Sequence, residues 1–151
     1  MKISVYSIEK TQSPAIETLL KEYIKMSSRF ATVEDIVVFN KQIASAQTKD
    51  EATARASYTQ AYEPHMKGLC IALDVTGKEM DSFEFASLLQ ESADIRFFIG
   101  GAYGFESKFI TKNQKVISLS RLTYAHKIAK AVLFEQIYRG LCIGNNHPYH
   151  K

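Results

Sequence analysis

Three glycines within five positions close an apolar run, Phe97-Phe98-Ile99-Gly100-Gly101-Ala102-Tyr103-Gly104, and a second run, Ile117-Ser118-Leu119-Ser120-Arg121-Leu122-Thr123, follows soon after. Strand residues that stop abruptly in glycine describe a buried strand opening into a loop whose backbone must approach something closely. In open α/β sheets a ligand sits beyond the carboxyl ends of parallel strands, and two such loops form one floor. The same glycines serve equally for a tight turn that holds nothing. No Gly-x-Gly-x-x-Gly follows the first strand, so the dinucleotide-binding fingerprint is absent. A third group with chemical potential closes the chain: Gly144-Asn145-Asn146-His147-Pro148-Tyr149-His150-Lys151. Tyr and His stack on bases and Lys meets phosphate, which are the contacts RNA offers. A frayed terminus has the same composition.

The elements that must position these groups are bounded by length and composition. A chain of 151 residues with 46% hydrophobic and 23% charged content suits one domain with a sizeable core. The net charge of +3 is unevenly spread: residues 105–151 carry eight Lys and Arg against Glu106 and Glu135, and residues 1–104 sum to −3. Such asymmetry points to a polyanionic partner or to a solvated basic face. Cys70 and Cys142 lie in apolar runs, and no Cys or His spacing resembles a zinc site, so no metal is expected. No charged leader precedes an apolar segment and no run approaches ~18 apolar residues, so no membrane partner and a cytoplasmic location are expected.

In order, Ile3, Val5, Tyr6 and Ile8 predict a first strand, and Ser13-Pro14 an N-cap with proline at the first helical position. Ile16, Leu19, Leu20, Tyr23 and Ile24 then mark one helical face. Asp35 to Phe39 predicts a second strand. Lys41 to Gln60, with Ile43 its only large aliphatic, predicts a mobile loop leading into an exposed helix that stops near Pro64. Leu69 to Asp74 is a continuous apolar run, the pattern of a central strand covered on both faces, with a turn at Gly77. Asp81 or Ser82 caps a helix with Phe85, Leu88 and Leu89 inward. Strands follow at Arg96 to Ile99 and Val116 to Leu119, then a helix from about Tyr124 to Tyr138. This β-α alternation implies an α/β fold with a parallel sheet between helical layers.

Leu73-Asp74 with Gly77-Lys78, Phe98-Ile99-Gly100-Gly101 with Gly104, Ser118-Leu119-Ser120 with Leu122-Thr123 and His126, Glu135-Gln136-Ile137-Tyr138-Arg139, and Asn146-His147-Pro148-Tyr149-His150 together resemble the ribosomal RNA large subunit methyltransferase H family of the SPOUT superfamily. The motifs run from Leu73 to His150 and the length matches nearly end to end. The resemblance implies an α/β domain with a C-terminal trefoil knot, an exception to unknotted topology. It implies S-adenosylmethionine as cofactor, held by Leu73, Gly101 and the run Leu119, Ser120, Arg121, Leu122, Thr123 and Tyr124. It further implies a homodimer in which each cofactor pocket is completed by the partner's tail. The reaction would methylate N3 of a pseudouridine in a stem-loop of 23S ribosomal RNA on the assembled ribosome.

A sulfonium methyl donor is already activated, so the protein chiefly aligns the acceptor nitrogen and manages its proton. Arg139, His147, Tyr149 and His150 are the catalytic candidates. Arg139 also stands one helical turn from Glu135 and could simply pair with it. The family's glycine loop commonly reads Gly-Gly-Pro-Glu-Gly, whereas Ala102-Tyr103 replace the Pro-Glu here, leaving a less rigid loop. Arg121 stands where a small residue is expected, as an added RNA contact, and His126 reads as structural. A branched side chain at Gly101 is expected to take space the ligand needs. Other classes stay open: an RNA-binding module without activity, or a small-molecule enzyme with a nucleotide at Gly100-Gly101.

Overall fold

The computed structural model describes residues 1–151. Five strands form one wholly parallel sheet: β1 (Lys2–Ile8), β2 (Thr32–Val38), β3 (Leu69–Glu79), β4 (Asp94–Ile99) and β5 (Lys115–Ser118), in the order β2-β1-β4-β3-β5. Because strand side chains alternate, each strand feeds two cores. Ile3, Val5, Ile71, Ile95, Phe97, Ile99 and Ile117 face one helical layer. That layer comprises α1 (Pro14–Ser27), α4 (Ser82–Leu88) and α6 (His126–Gly144). Tyr6, Ile8, Cys70, Ala72 and Phe98 face the other, built from α2 (Lys41–Gln47), α3 (Glu51–Tyr62) and α5 (Ser107–Lys112). The α/β reading with helices on both faces of a parallel sheet therefore holds.

Three local expectations are corrected. Lys41 to Gln60 is not a loop before an exposed helix but two capped helices. Asn40 Oδ1 accepts from the Ile43 N–H at 2.8 Å to start α2, and Asp50 Oδ1 accepts from the Thr53 N–H at 2.7 Å to start α3. Both pack on the sheet, with Ile43, Ala54, Tyr58 and Tyr62 fully buried. The second concerns β3, which does not stop at Asp74: Leu73 and Lys78 both pair with Ile117, so residues 74–77 bulge out and the strand resumes to Glu79. Gly77 permits this, because a Cβ there would lie 2.5 Å from the Ile117 carbonyl carbon. Finally, α6 starts at His126 and runs to Gly144, well past Tyr138, since Leu141 and Cys142 continue its buried face and Gly140 lets Leu89 and Ala86 approach.

Elsewhere the local signals place the elements as read. Pro14 opens α1, although Ser13 makes no side-chain cap. Asp81 closes a capping box with Glu84 at the start of α4. Both cysteines are buried and free, and burial raises both thiols above their ordinary values.

Candidate functional site

The carboxyl ends of β3, β4 and β5 open onto one cleft of about 180 Å³. Its floor is the end of β4 with Gly100 and Gly101. One wall is Leu73, Asp74 and Val75 at the β3 bulge, and the other is the segment from Ser118 through Tyr124, with His126 and Ala129 of α6 behind. Of the eight residues expected to hold the cofactor, Leu73, Gly101, Leu119, Ser120, Leu122, Thr123 and Tyr124 line this one cleft. Arg121 lies in the same segment but is exposed and outside the lining. Asp74, Val75, Ile99, Gly100, Ser118, His126 and Ala129 complete the lining without having been singled out as ligands. The Leu73-Asp74 and Ser118 motifs held the signal for some of these; Val75 and Ala129 carry none.

The lining is half apolar. Leu73, Ile99, Leu119, Leu122 and Tyr124 are apolar walls, and the segment between them is held by side chains instead of by the main chain. Ser118 Oγ donates to Ser120 C=O at 2.9 Å, and Leu122 N–H donates to Ser120 Oγ at 2.9 Å. No turn or loop main-chain bond involves residues 119–124, and residues 121–123 are exposed, so the amide and carbonyl groups not held by Ser118 and Ser120 are open to a ligand or to solvent. Gly100 and Gly104 make the floor turn close: Gly104 has φ +74, its N–H donates to Gly101 C=O at 3.0 Å, and a Cβ on Gly100 would lie 3.1 Å from Gly104 Cα. At Gly101 the reason for glycine differs from the one expected. A Cβ there would fall 2.5 Å from Tyr58 Cζ, so the obstacle is the Tyr58 ring.

The four catalytic candidates lie elsewhere. Arg139, Tyr149 and His150 come together on the C-terminal half of α6, with His147 beside them. Arg139 donates through Nε and Nη2 to Glu135 Oε1 at 3.0 and 2.6 Å, so the expected pairing within one helical turn is real. The same guanidinium lies 4.8 Å from the Tyr149 ring centroid and 3.2 Å from His150 Nδ1. Tyr149 Oη donates to Glu135 Oε1 at 3.1 Å. His147 turns away, with Nε2 3.4 Å from Arg29 Nη1 and its ring edge-on to Phe30. None of the four lines the cleft. Ten residues of helix separate Ala129 from Arg139, about 15 Å along the axis at ~1.5 Å per residue.

The electrostatics of this cluster restrict what it does. Burial, the hydrogen bond with Tyr23 and the neighbouring Glu135 carboxylate push the Tyr149 phenol well above its usual range, so it stays protonated and donates. Glu135 raises Arg139, which stays a cation. A guanidinium only donates, so in these two contacts His150 Nδ1 and His147 Nε2 accept, and each ring's other nitrogen faces its own surroundings. For His147 that other nitrogen, Nδ1, is buried without a partner. Arg139 Nε and Nη2 and the Tyr149 proton are already directed at Glu135, which leaves the remaining Arg139 N–H groups as the cluster's free cationic donors.

The C-terminal charge excess is largely consumed by folding. Lys112 pairs with Glu63, Lys115 with Glu91 at 2.7 Å, Lys108 with Glu106 at 3.8 Å, and Lys130 with Glu9 and Asp35 at 2.9 and 2.6 Å. Of the eight C-terminal cations only Arg121, Lys127 and Lys151 form no ion pair, so the excess is not one basic face. No group of three or more His, Cys, Asp or Glu is placed to hold a metal, and no helix is long and apolar enough to cross a membrane.

Comparison with known proteins bears on the cleft. A family model described as "Predicted SPOUT methyltransferase" matches residues 1–150. The chain is 52% identical over 151 residues to the ribosomal RNA large subunit methyltransferase H of Campylobacter concisus, covering 100% of both chains. It is 54% identical, again over 100% of both, to the protein of the same name from Aliarcobacter butzleri. The crystal structure of a "putative RNA methyltransferase" from Bacillus anthracis superposes with a TM-score of 0.51 at 14% identity, covering 98% of this chain and 96% of that one, a likeness of fold alone.

Proposed function

Since the chain belongs to the SPOUT methyltransferase family and matches proteins named ribosomal RNA large subunit methyltransferase H end to end, we propose that it transfers a methyl group from S-adenosylmethionine to N3 of a pseudouridine in 23S ribosomal RNA. The reading includes a homodimer, a trefoil knot over the C-terminal part, and action on the assembled ribosome in the cytoplasm. One observation carries it: a single cleft at the carboxyl ends of β3, β4 and β5 gathers seven of the eight residues that the family motif assigns to the cofactor.

When bound, S-adenosylmethionine supplies an activated methyl group on a sulfonium. This chain's own residues then have two tasks. Leu73, Leu119 and Leu122 cover the apolar parts of the ligand, and the freed main chain of residues 119–124 reads its polar edge. Arg139 faces the acceptor base. Loss of the imide proton to solvent water leaves an anion, and a cation held by Glu135 beside the protonated Tyr149 phenol stabilises that charge where it develops. The Tyr149 ring offers the base a stacking surface.

Within one chain the cleft and the Arg139 cluster are about 15 Å apart along α6, too far for one methyl group to serve both. That separation supports completion of each cleft by the second copy's tail, as an isologous two-fold interface allows. Titration calorimetry with S-adenosylmethionine, followed by transfer of a labelled methyl group to ribosomes, tests the reading. Binding with transfer to 23S RNA is expected; a folded protein that binds no S-adenosylmethionine refutes it.

A further inference from the structure

One face of α3 holds the glycine loop along its whole length. Tyr62 Oη donates to Ile99 C=O at 2.7 Å, where β4 ends. Tyr58, fully buried and tethered by the Gln47 side-chain amide donating to its hydroxyl at 2.7 Å, lies against Gly101. Arg55 Nε donates to Tyr103 C=O at 3.0 Å, and Thr59 Oγ1 donates to Glu106 Oε2 at 2.5 Å, just before α5. Positions 55, 58, 59 and 62 share one helical face, and their partners, Ile99, Gly101, Tyr103 and Glu106, span the loop from its entry to its exit.

None of the four lines the cleft; they support the floor from the opposite side of the sheet. The floor needs that support, because Ala102 stands where a proline would stiffen the loop by itself. We propose that α3 is the positioning element of the cofactor loop, with Tyr58 setting the height of Gly101 beneath the cleft and Arg55 fixing the loop's outer limb. This rests on the assignment of the cleft to S-adenosylmethionine. The four are positioning residues and touch no reacting atom.

The test pairs a steric clash with its relief. Gly101→Ala sets a methyl against the far end of the Tyr58 ring and lifts the floor into the cleft. S-adenosylmethionine affinity by calorimetry should fall at least tenfold. Tyr58→Leu removes the ring's far end, so Gly101→Ala/Tyr58→Leu should recover to within about threefold of wild type, with helicity unchanged. A double variant no better than Gly101→Ala, or Gly101→Ala binding as wild type, overturns the proposal.

Arg55→Ala keeps the test decisive if the double variant does not fold, since Arg55 is partly exposed and outside both cores. It should weaken binding three- to tenfold and speed hydrogen exchange at the Gly104 amide, which is bonded to Gly101 C=O, without changing the melting temperature. Wild-type affinity together with wild-type exchange overturns the brace. The exchange readout needs no ligand. Failure of the wild-type protein to bind S-adenosylmethionine would therefore sink the cofactor assignment while exchange still decides the role of α3.

Discussion

Replacing Lys130 with methionine removes the only cation from a buried triad. Its Nζ lies 2.9 Å from Glu9 Oε2, 2.6 Å from Asp35 Oδ1 and 3.0 Å from Ser7 Oγ, and the Lys130 and Glu9 side chains are 2% and 3% exposed. The triad fixes the first turns of α6 on β1 and β2, and those turns carry His126 and Ala129 of the cleft. Breaking a buried ion pair by deleting one partner costs about 3–5 kcal/mol, because the remaining charge stays buried. With two carboxylates left behind, Lys130→Met should fall in that range, a large share of the roughly 5–15 kcal/mol of an ordinary domain. At a urea m-value of about 1–3 kcal/mol/M, the unfolding midpoint should drop by about 2 M.

The sign of the pH dependence follows from Asp35, which burial already raises against the opposing pull of Lys130. An acid whose folded pKa is raised contributes fully below its unfolded value and loses that contribution as pH rises through the folded one. Without Lys130 the Asp35 carboxyl moves further up, so the variant's deficit should be largest at neutral pH and shrink toward pH 5. Adding Glu9→Gln and Asp35→Asn should recover most of the loss. A midpoint within 0.3 M of wild type at pH 7, or a deficit that grows on acidification, would refute the reasoning.

The tail and loop give three further expectations. Tyr149→Ala removes a stacking surface worth about 1–3 kcal/mol, so methylation by the folded variant should fall roughly ten- to hundredfold at ~1.4 kcal/mol per decade; unchanged turnover argues against contact with the base. The difference in alkaline ultraviolet titration between wild type and Tyr149→Phe should show a phenol ionising well above pH 10, and Glu135→Gln should lower that transition, because Glu135 is one of the groups that raise it; the phenol's contribution to folding is full below its unfolded value of about 10 and is lost above it. Gly101→Val should abolish S-adenosylmethionine binding in a folded protein by colliding with Tyr58, and normal affinity there contradicts the placement of the loop.

What the sequence conveyed and what it withheld divide along physical lines. Strands were legible because Leu69 to Leu73 and Phe97 to Ile99 are apolar runs bounded by polar or glycine residues, and Asp81, one of two N-cap candidates with Ser82, marks the start of α4. The second helical layer was not, because α3 buries Ala54, Ser57, Tyr58, Thr59 and Tyr62 and so lacks an aliphatic stripe. The bulge at residues 74–77 depends on Ile117 pairing twice, a relation over some forty residues that no local pattern encodes. The cleft was readable as motifs because its loops sit at strand ends. The charge excess speaks to the class of partner more than to a surface, since Lys112, Lys115 and Lys130 find their carboxylates far back in the chain.

The proposed methyl-transfer site joins the cleft of one chain to the tail of another. Co-expression of a Gly101→Val chain with a chain lacking residues 147–151, separated by different tags and assayed for methyl transfer to ribosomes, tests it directly. Each variant alone should be inactive. In the mixed two-fold dimer isolated through both tags, one of the two sites joins an intact cleft to an intact tail, so its activity should return to about half of wild type. A mixture no more active than its two parents would contradict the claim.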